Sequence, residues 1–260
     1  MTRQTGSTDP ARGYVVLASA DSEAFASLRR RPASRRDRYQ IGRELRRQVP
    51  RSSLGEWSAD RGRPYPVQLI IESHDGRLEW LIPVRVGRMT ASPYGFLRGA
   101  ANVMAEDAAG LPSTGITPVI CGDAHLGNFG FYASPEQNLV IDLNDFDEAH
   151  PGAWEWDLRR LTASIWVAGR QNAASEQSCE SAVLQCVAGY RAEVGDLAAA
   201  PLLARSYQRI DVGHLQRSGT GTSLRAEIKR AAAQARRRTS DRALPKFTSE
   251  RDGQRRSTCG

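Results

Sequence analysis

The sequence predicts an α+β protein assembled from short β-hairpins and amphipathic helices. Three observations carry that expectation. Val67, Leu69 and Ile71 alternate, as do Leu78, Trp80 and Ile82 beyond the turn His74-Asp75-Gly76, which is the period of a hairpin. Two more short apolar runs, Phe129 to Tyr132 and Leu139 to Leu143, flank the turn residues Ser134-Pro135-Glu136-Gln137-Asn138. Trp154, Leu158, Leu161 and Ile165 recur at intervals of four, three and four, the spacing of one buried helix face.

Taken in order, the elements begin with a polar stretch. Met1 to Arg12 is read as disordered, with no apolar segment that could serve as a secretory signal. Ser27 to Arg51 is arginine-rich with weak apolar spacing at Leu28, Tyr39, Ile41 and Leu45, read as a solvated amphipathic helix rather than a nucleic-acid or membrane contact. After the predicted hairpin, Ser92 to Ala109 reads as one helix, opened by Ser-Pro and closed by Gly110 and Pro112. Thr117 to Cys121 suits a buried strand, and Glu176 to Leu203 a further helix. Residues 215–260 read as a basic helix and a frayed tail, partly disordered.

Composition sets the bounds. With 260 residues, 40% hydrophobic and 25% charged, the chain can bury a core without covalent staples, and fibrous or wholly disordered classes are excluded. No apolar run approaches membrane-spanning length, so the expected compartment is the cytoplasm, with no membrane partner. Cys121, Cys179, Cys186 and Cys259 form no pair at ligand spacing, which disfavours zinc and disulfides. The net charge of +7 divides unevenly. Residues 1–63 carry 14 basic and 7 acidic groups, residues 64–214 carry 10 and 18, and residues 215–260 carry 12 and 4. An acidic centre between basic flanks fits a site that holds cations between carboxylates better than a continuous phosphate-binding face, which disfavours nucleic acid as the main partner. Only Lys229 and Lys246 are lysines, a scarcity that first of all reflects base-composition bias.

Two segments concentrate chemistry: GDAHLGNFG (Gly122 to Gly130) and IDLNDFDEA (Ile141 to Ala149). In the first, Asp123 and Asn128 can converge on one pocket from the end of a strand. In the second, Asp142, Asp145, Asp147 and Glu148 crowd into seven residues, so repulsion must be relieved by basic groups or cations. Oxygen ligands of this kind select hard cations, magnesium or manganese.

The order Asp-x-x-x-x-Asn, hairpin, then Asp at a strand end resembles the catalytic core of protein-kinase-like and aminoglycoside-phosphotransferase-like folds. More closely, Pro83 to Ala109, Cys121 to Glu136 and Asn138 to Ser164 resemble the DUF2252 family of bacterial proteins. The resemblance implies a DUF2252-like domain over residues 13–214 with a kinase-like catalytic core that is incomplete. It implies Asp123 as the base that takes a hydroxyl proton, and His125, in the position of the histidine in GDxHxxN, as a second catalytic candidate. Asn128 and Asp145 become magnesium ligands, with Asp142 as the competitor of Asp145. Asp157 becomes the helix-start carboxylate that braces the catalytic loop, while Cys121 departs from the histidine usual before Gly-Asp. ATP would be the phosphoryl donor, with Arg85, Arg88 and Arg98 as candidate phosphate contacts.

Neither GxxxxGK[ST] nor GxGxxG is present, SGTGTS (Ser218 to Ser223) is a weak phosphate-loop candidate, and both lysines fall in the basic tail rather than on a strand. Members of the family extend further, with glycine-rich and lysine-containing motifs downstream, so the resemblance also implies an N-terminal portion or a truncated product. The leading expectation is a phosphotransferase acting on a small-molecule or protein hydroxyl. The alternatives are an inactive binding module for an acidic partner or nucleic acid, and a metal-dependent hydrolase. The oligomeric state is left open.

Overall fold

The computed structural model describes residues 34–57, 62–136, 138–213, 215, 222–236, 248–251 and 254–257. These form an α+β protein with two compact units: residues up to Asn128 together with Asp145–Val194, and Phe129–Asn144 together with the chain from Gly195 onward. The expected loose N-terminus, residues 1–12, lies outside the described residues, as do most of SGTGTS, Lys246 and Cys259.

The first unit opens with α1 (Arg35–Gln48). Ser34 and Asp37 form a reciprocal capping box that satisfies the first backbone donors. The predicted hairpin over residues 67–82 is helical instead: α2 (Pro66–Glu72) and α3 (Ile82–Thr90) are joined by a turn and a short 3-10 segment, Glu79–Leu81. Each helix carries a proline in its first turn, where the missing N–H costs nothing and φ is preset. The alternation misleads because Val67, Ile70 and Ile71 also satisfy helical spacing. Ile70 is the residue buried, in a core with Met89, Ala100 and Val103, whereas Leu78 and Trp80 remain exposed. The turn at His74-Asp75-Gly76 is as expected, with Gly76 at φ 71°.

The single helix expected over residues 92–109 is two: α4 (Pro93–Gly99) and α5 (Ala101–Ala109), broken at Ala100. The Ser92 hydroxyl accepts from the Gly95 amide at 3.0 Å, so the start is as read. The break lets α4 cross α3 closely, since a Cβ on Gly99 would stand 2.5 Å from the Met89 side chain.

Strand β1 (Val119–Ile120) pairs antiparallel with β4 (His150–Pro151). The helix α6 (Trp154–Gln171) follows, then α7 (Glu176–Ala199), which ends short of the expected Leu203 because Pro201 interrupts it before α8 (Leu202–Ser206). Trp154 is an anchor, as expected: its ring stacks on Tyr190 with centroids 5.8 Å apart, and its indole N–H donates to Thr114 Oγ1.

In the second unit β2 (Phe129–Ala133) and β3 (Leu139–Leu143) form the expected hairpin, with Phe129 opposite Leu143 and Gly130 opposite Asp142. β5 (Ile210–Asp211) extends the sheet alongside β3. The basic tail contains a helix, α9 (Thr222–Arg236), as read, but an antiparallel pair, β6 (Thr248–Arg251) and β7 (Gln254–Ser257), stands within the segment read as frayed. Lys229 is exposed on α9, off any strand. Among the described residues no helix is long and apolar enough to cross a membrane.

Candidate functional site

The loop from Cys121 to Asn128 leaves β1 and is gripped by one face of α6. Asp157, Arg160 and Ser164 stand at i, i+3 and i+7, which places them on a single helical stripe. Asp157 accepts the amides of Cys121 and Gly122, at 2.7 and 2.9 Å, one on each carboxylate oxygen. Arg160 donates from Nε to Asp123 Oδ1 at 2.7 Å and from Nη2 to the Leu97 carbonyl. Ser164, fully buried, accepts the Leu126 amide at 3.0 Å and donates to Leu161. The brace expected of Asp157 is therefore present, and two further contacts share its work.

This stripe corrects one reading. The most deeply buried residues of α6 are Glu155, Arg160 and Ser164, while Trp154, Leu158, Leu161 and Ile165 are only half-buried. Apolar periodicity marks the helix but not the face that holds the loop. The neighbouring Arg159 donates to the carbonyls of Leu54 and Pro112. The sequence did contain the signal, since Asp-x-x-Arg-x-x-x-Ser is a polar stripe at helical spacing, but polar residues at that spacing usually mark the solvent face.

Within the loop, Asn128 is buried and its amide nitrogen donates to the Asp123 carbonyl at 2.7 Å, leaving Oδ1 uncommitted by that bond. The side chain of Asp123 keeps 16% of its exposure, and Oδ2 lies 3.6 Å from His125 Nε2, beyond a hydrogen bond. Gly122 is indispensable to the turn: its φ is 82°, and a Cβ would overlap the Glu148 carbonyl.

His125 is buried, packs edge-on to Tyr94 and has no partner for Nδ1. Burial pushes its pKa down, and the Arg160 and Arg98 charges add to that effect while Asp123 opposes it. The unfolded chain therefore binds a proton that the fold rejects, and stability should fall as pH drops below about 6.5 toward the depressed pKa, by at most about 1.4 kcal/mol per pH unit. Urea titrations at pH 7.5 and 5.5 should show that acid-sensitive increment in the wild type and not in His125→Gln.

Asp157 shifts the other way. Burial raises its pKa, and the two amide bonds only partly offset that. Its folded form thus holds a proton above the ordinary carboxylate value, so its contribution to stability declines as pH rises from about 3.8 to the raised pKa and is level beyond it. Asp157→Asn sets an amide N–H against a backbone N–H and should cost about 2 kcal/mol. That cost should be greatest in acid and smaller at pH 7, which chemical denaturation at the two pH values checks.

Asp145 is exposed, its Oδ1 accepting the Asp147 amide at 3.2 Å, and the Cys121 thiol donates to its carbonyl at 3.1 Å. That last bond fixes the Asp145 backbone to the end of β1, in the same unit as Asp123 and Asn128. Asp142 is exposed on β3 in the second unit, its Oδ1 taken by the Leu143 amide. No group of three or more His, Cys, Asp or Glu side chains that could hold a metal forms among the described residues. Of the three arginines, Arg98 is exposed with Nε about 3.4 Å from where a Gly127 Cβ would stand, so it borders the loop. Arg85 donates to the Gly99 carbonyl at 2.9 Å and leaves Nη1 buried without a partner, while Arg88 is exposed.

The loop, the helix residues that clasp it and the acidic turn lie within two of the segments that carry the family resemblance, Cys121 to Glu136 and Asn138 to Ser164. The model of a family described as uncharacterised protein conserved in bacteria (DUF2252) matches residues 77–259, well over half of the chain and through much of its basic tail. The chain belongs to the DUF2252 family. No curated protein and no solved structure matches it.

Proposed function

We propose that the chain is a magnesium- and ATP-dependent phosphotransferase with a kinase-like catalytic core, transferring a phosphoryl group to a hydroxyl of a small molecule or protein. The observation that carries this reading is the state of Asp123: one carboxylate oxygen is fixed by Arg160, while the other is left without a hydrogen bond in a partly open loop. Fixation by a guanidinium orients the carboxylate, and the second oxygen is the one able to receive a hydroxyl proton.

Asn128 Oδ1 and the Asp145 carboxylate are the groups that would hold magnesium. Two protein oxygens fit an ion that keeps most of its shell as water and phosphate oxygens. Bound there, the ion would neutralise charge on the transferred group. Asp145 is preferred to Asp142 because the Cys121 thiol ties its backbone to the strand that launches the loop. Arg98 is the best placed phosphate contact, since it borders Gly127, and His125 packs beneath the loop as a neutral positioning residue.

Titration of ATP into the protein by calorimetry tests the reading. Magnesium-dependent binding should be present in the wild type and weakened at least tenfold in Asp145→Asn. An absence of binding at millimolar ATP overturns it.

A further inference from the structure

Helix α1 lies before residue 77, where the family match begins. Its sequence RRDRYQIGRELRRQ contains six arginines and two acids. At about 100° per residue, Arg35, Arg46, Arg43, Arg36 and Arg47 fall within an arc of about 120°, with Tyr39 inside it. All six of these side chains are exposed, Tyr39 at 65%. Both acids lie outside the arc: Asp37 is occupied with the Ser34 cap, and Glu44 pairs with Arg47, at 3.2 Å, and accepts from Gln48. The remaining four arginines of the arc make no ion pair among the described residues. Ile41 and Leu45, on the other side, are half-buried.

Base-composition bias explains why these cations are arginines. It does not explain their collection on one face, uncompensated, around an exposed ring. We propose that this face binds single-stranded nucleic acid through its phosphate backbone, with Tyr39 stacking on a base. The stripe from Arg35 to Arg47 is about 18 Å long at 1.5 Å per residue, long enough to follow a short run of backbone phosphates. Guanidinium forks pair bidentately with phosphate oxygens, and an aromatic ring between cations supplies the stacking platform of sequence-tolerant strand binders. An anionic membrane fits less well, because α1 has no exposed large aliphatic side chain to insert. The surface is independent of the phosphotransferase site, none of whose residues lies on α1.

The test is fluorescence anisotropy of the full-length protein with a labelled twenty-nucleotide oligothymidylate. Binding should weaken with salt, log K against log salt having a slope of about −3 for four or five neutralised phosphates. Arg36→Gln/Arg43→Gln/Arg46→Gln should lower affinity at least tenfold at low salt, and Tyr39→Ala about tenfold, while the charge-matched Arg77→Gln/Arg170→Gln/Arg191→Gln should leave it within twofold. No binding at low salt overturns the proposal, as does an equal loss in the two triple variants. So does retention of affinity in Tyr39→Ala, or selective capture by phosphatidylserine vesicles or polyglutamate over the oligonucleotide. Far-UV circular dichroism confirms that α1 persists in each variant.

Discussion

Removing either partner of the Asp123–Arg160 pair is expected to destabilise the protein, and removing Asp123 is expected to cost more. The Arg160 side chain is 4% exposed, and Asp123 keeps 16%. Asp123→Ala leaves a guanidinium in the interior with only the Leu97 carbonyl and a long contact of 3.8 Å to Met104 Sδ, an uncompensated charge worth about 4–5 kcal/mol. Arg160→Met leaves a carboxylate that can still reach water or take a proton, so about 3 kcal/mol is expected. The double variant should recover part of the loss, because two uncharged side chains leave no orphaned charge. Urea denaturation of the four proteins measures the cycle. Strictly additive losses would show that the two groups do not depend on one another.

The same pair decides which substitution can test catalysis. Asp123→Ala removes the whole partner of Arg160, whereas Asn at this position keeps an oxygen to accept from Arg160 Nε and loses the negative charge and the basicity. Asp123→Asn is therefore expected to unfold below the wild type but above Asp123→Ala, and, at a temperature where circular dichroism shows it folded, to lower magnesium-dependent ATP turnover by about 10²- to 10⁴-fold, the range of a lost general base. Turnover equal to wild type would remove Asp123 from the role of base. Absence of turnover in the wild type itself would instead count against the phosphotransferase reading.

The geometry also changes what is expected of the loop residues. His125 is held neutral and buried, with its ring edge toward Tyr94, so it is a poor proton carrier and a good spacer beneath Gly127. Asn128 spends its amide nitrogen on the Asp123 carbonyl. The two motif residues therefore set one another's position within a single turn, and either one substituted alone should disturb the other.

Much of this is legible in the amino-acid sequence. Local signals were sufficient where they were unambiguous: Ser92 before a proline, the turn Ser134 to Asn138, the apolar period of α6 and the strand that delivers Gly122. The alternation at residues 67–82 was legible too, but it satisfied two periods at once. Only the burial of Ile70 against Met89, Ala100 and Val103 decides for a helix, because strand and helix patterns over five residues differ little until one face finds a partner. The break at Ala100 is of the same kind, since it follows from how closely α3 and α4 cross.

The sequence by itself determined the α+β class, the family, the positions of Asp123, Asn128 and Asp145 along the chain, and the concentration of arginine before residue 51. Spacing along a chain reports local geometry, and all of these are local facts. Tertiary structure alone decided that Asp157, Arg160 and Ser164 form the clamp on the loop from Cys121 to Asn128, and that Arg160 pairs with Asp123. A polar side chain on a helix has the same sequence signature whether it faces water or a buried loop. Which of the two it meets is fixed only when another segment, here one more than thirty residues earlier, arrives to desolvate it and supply its hydrogen bonds.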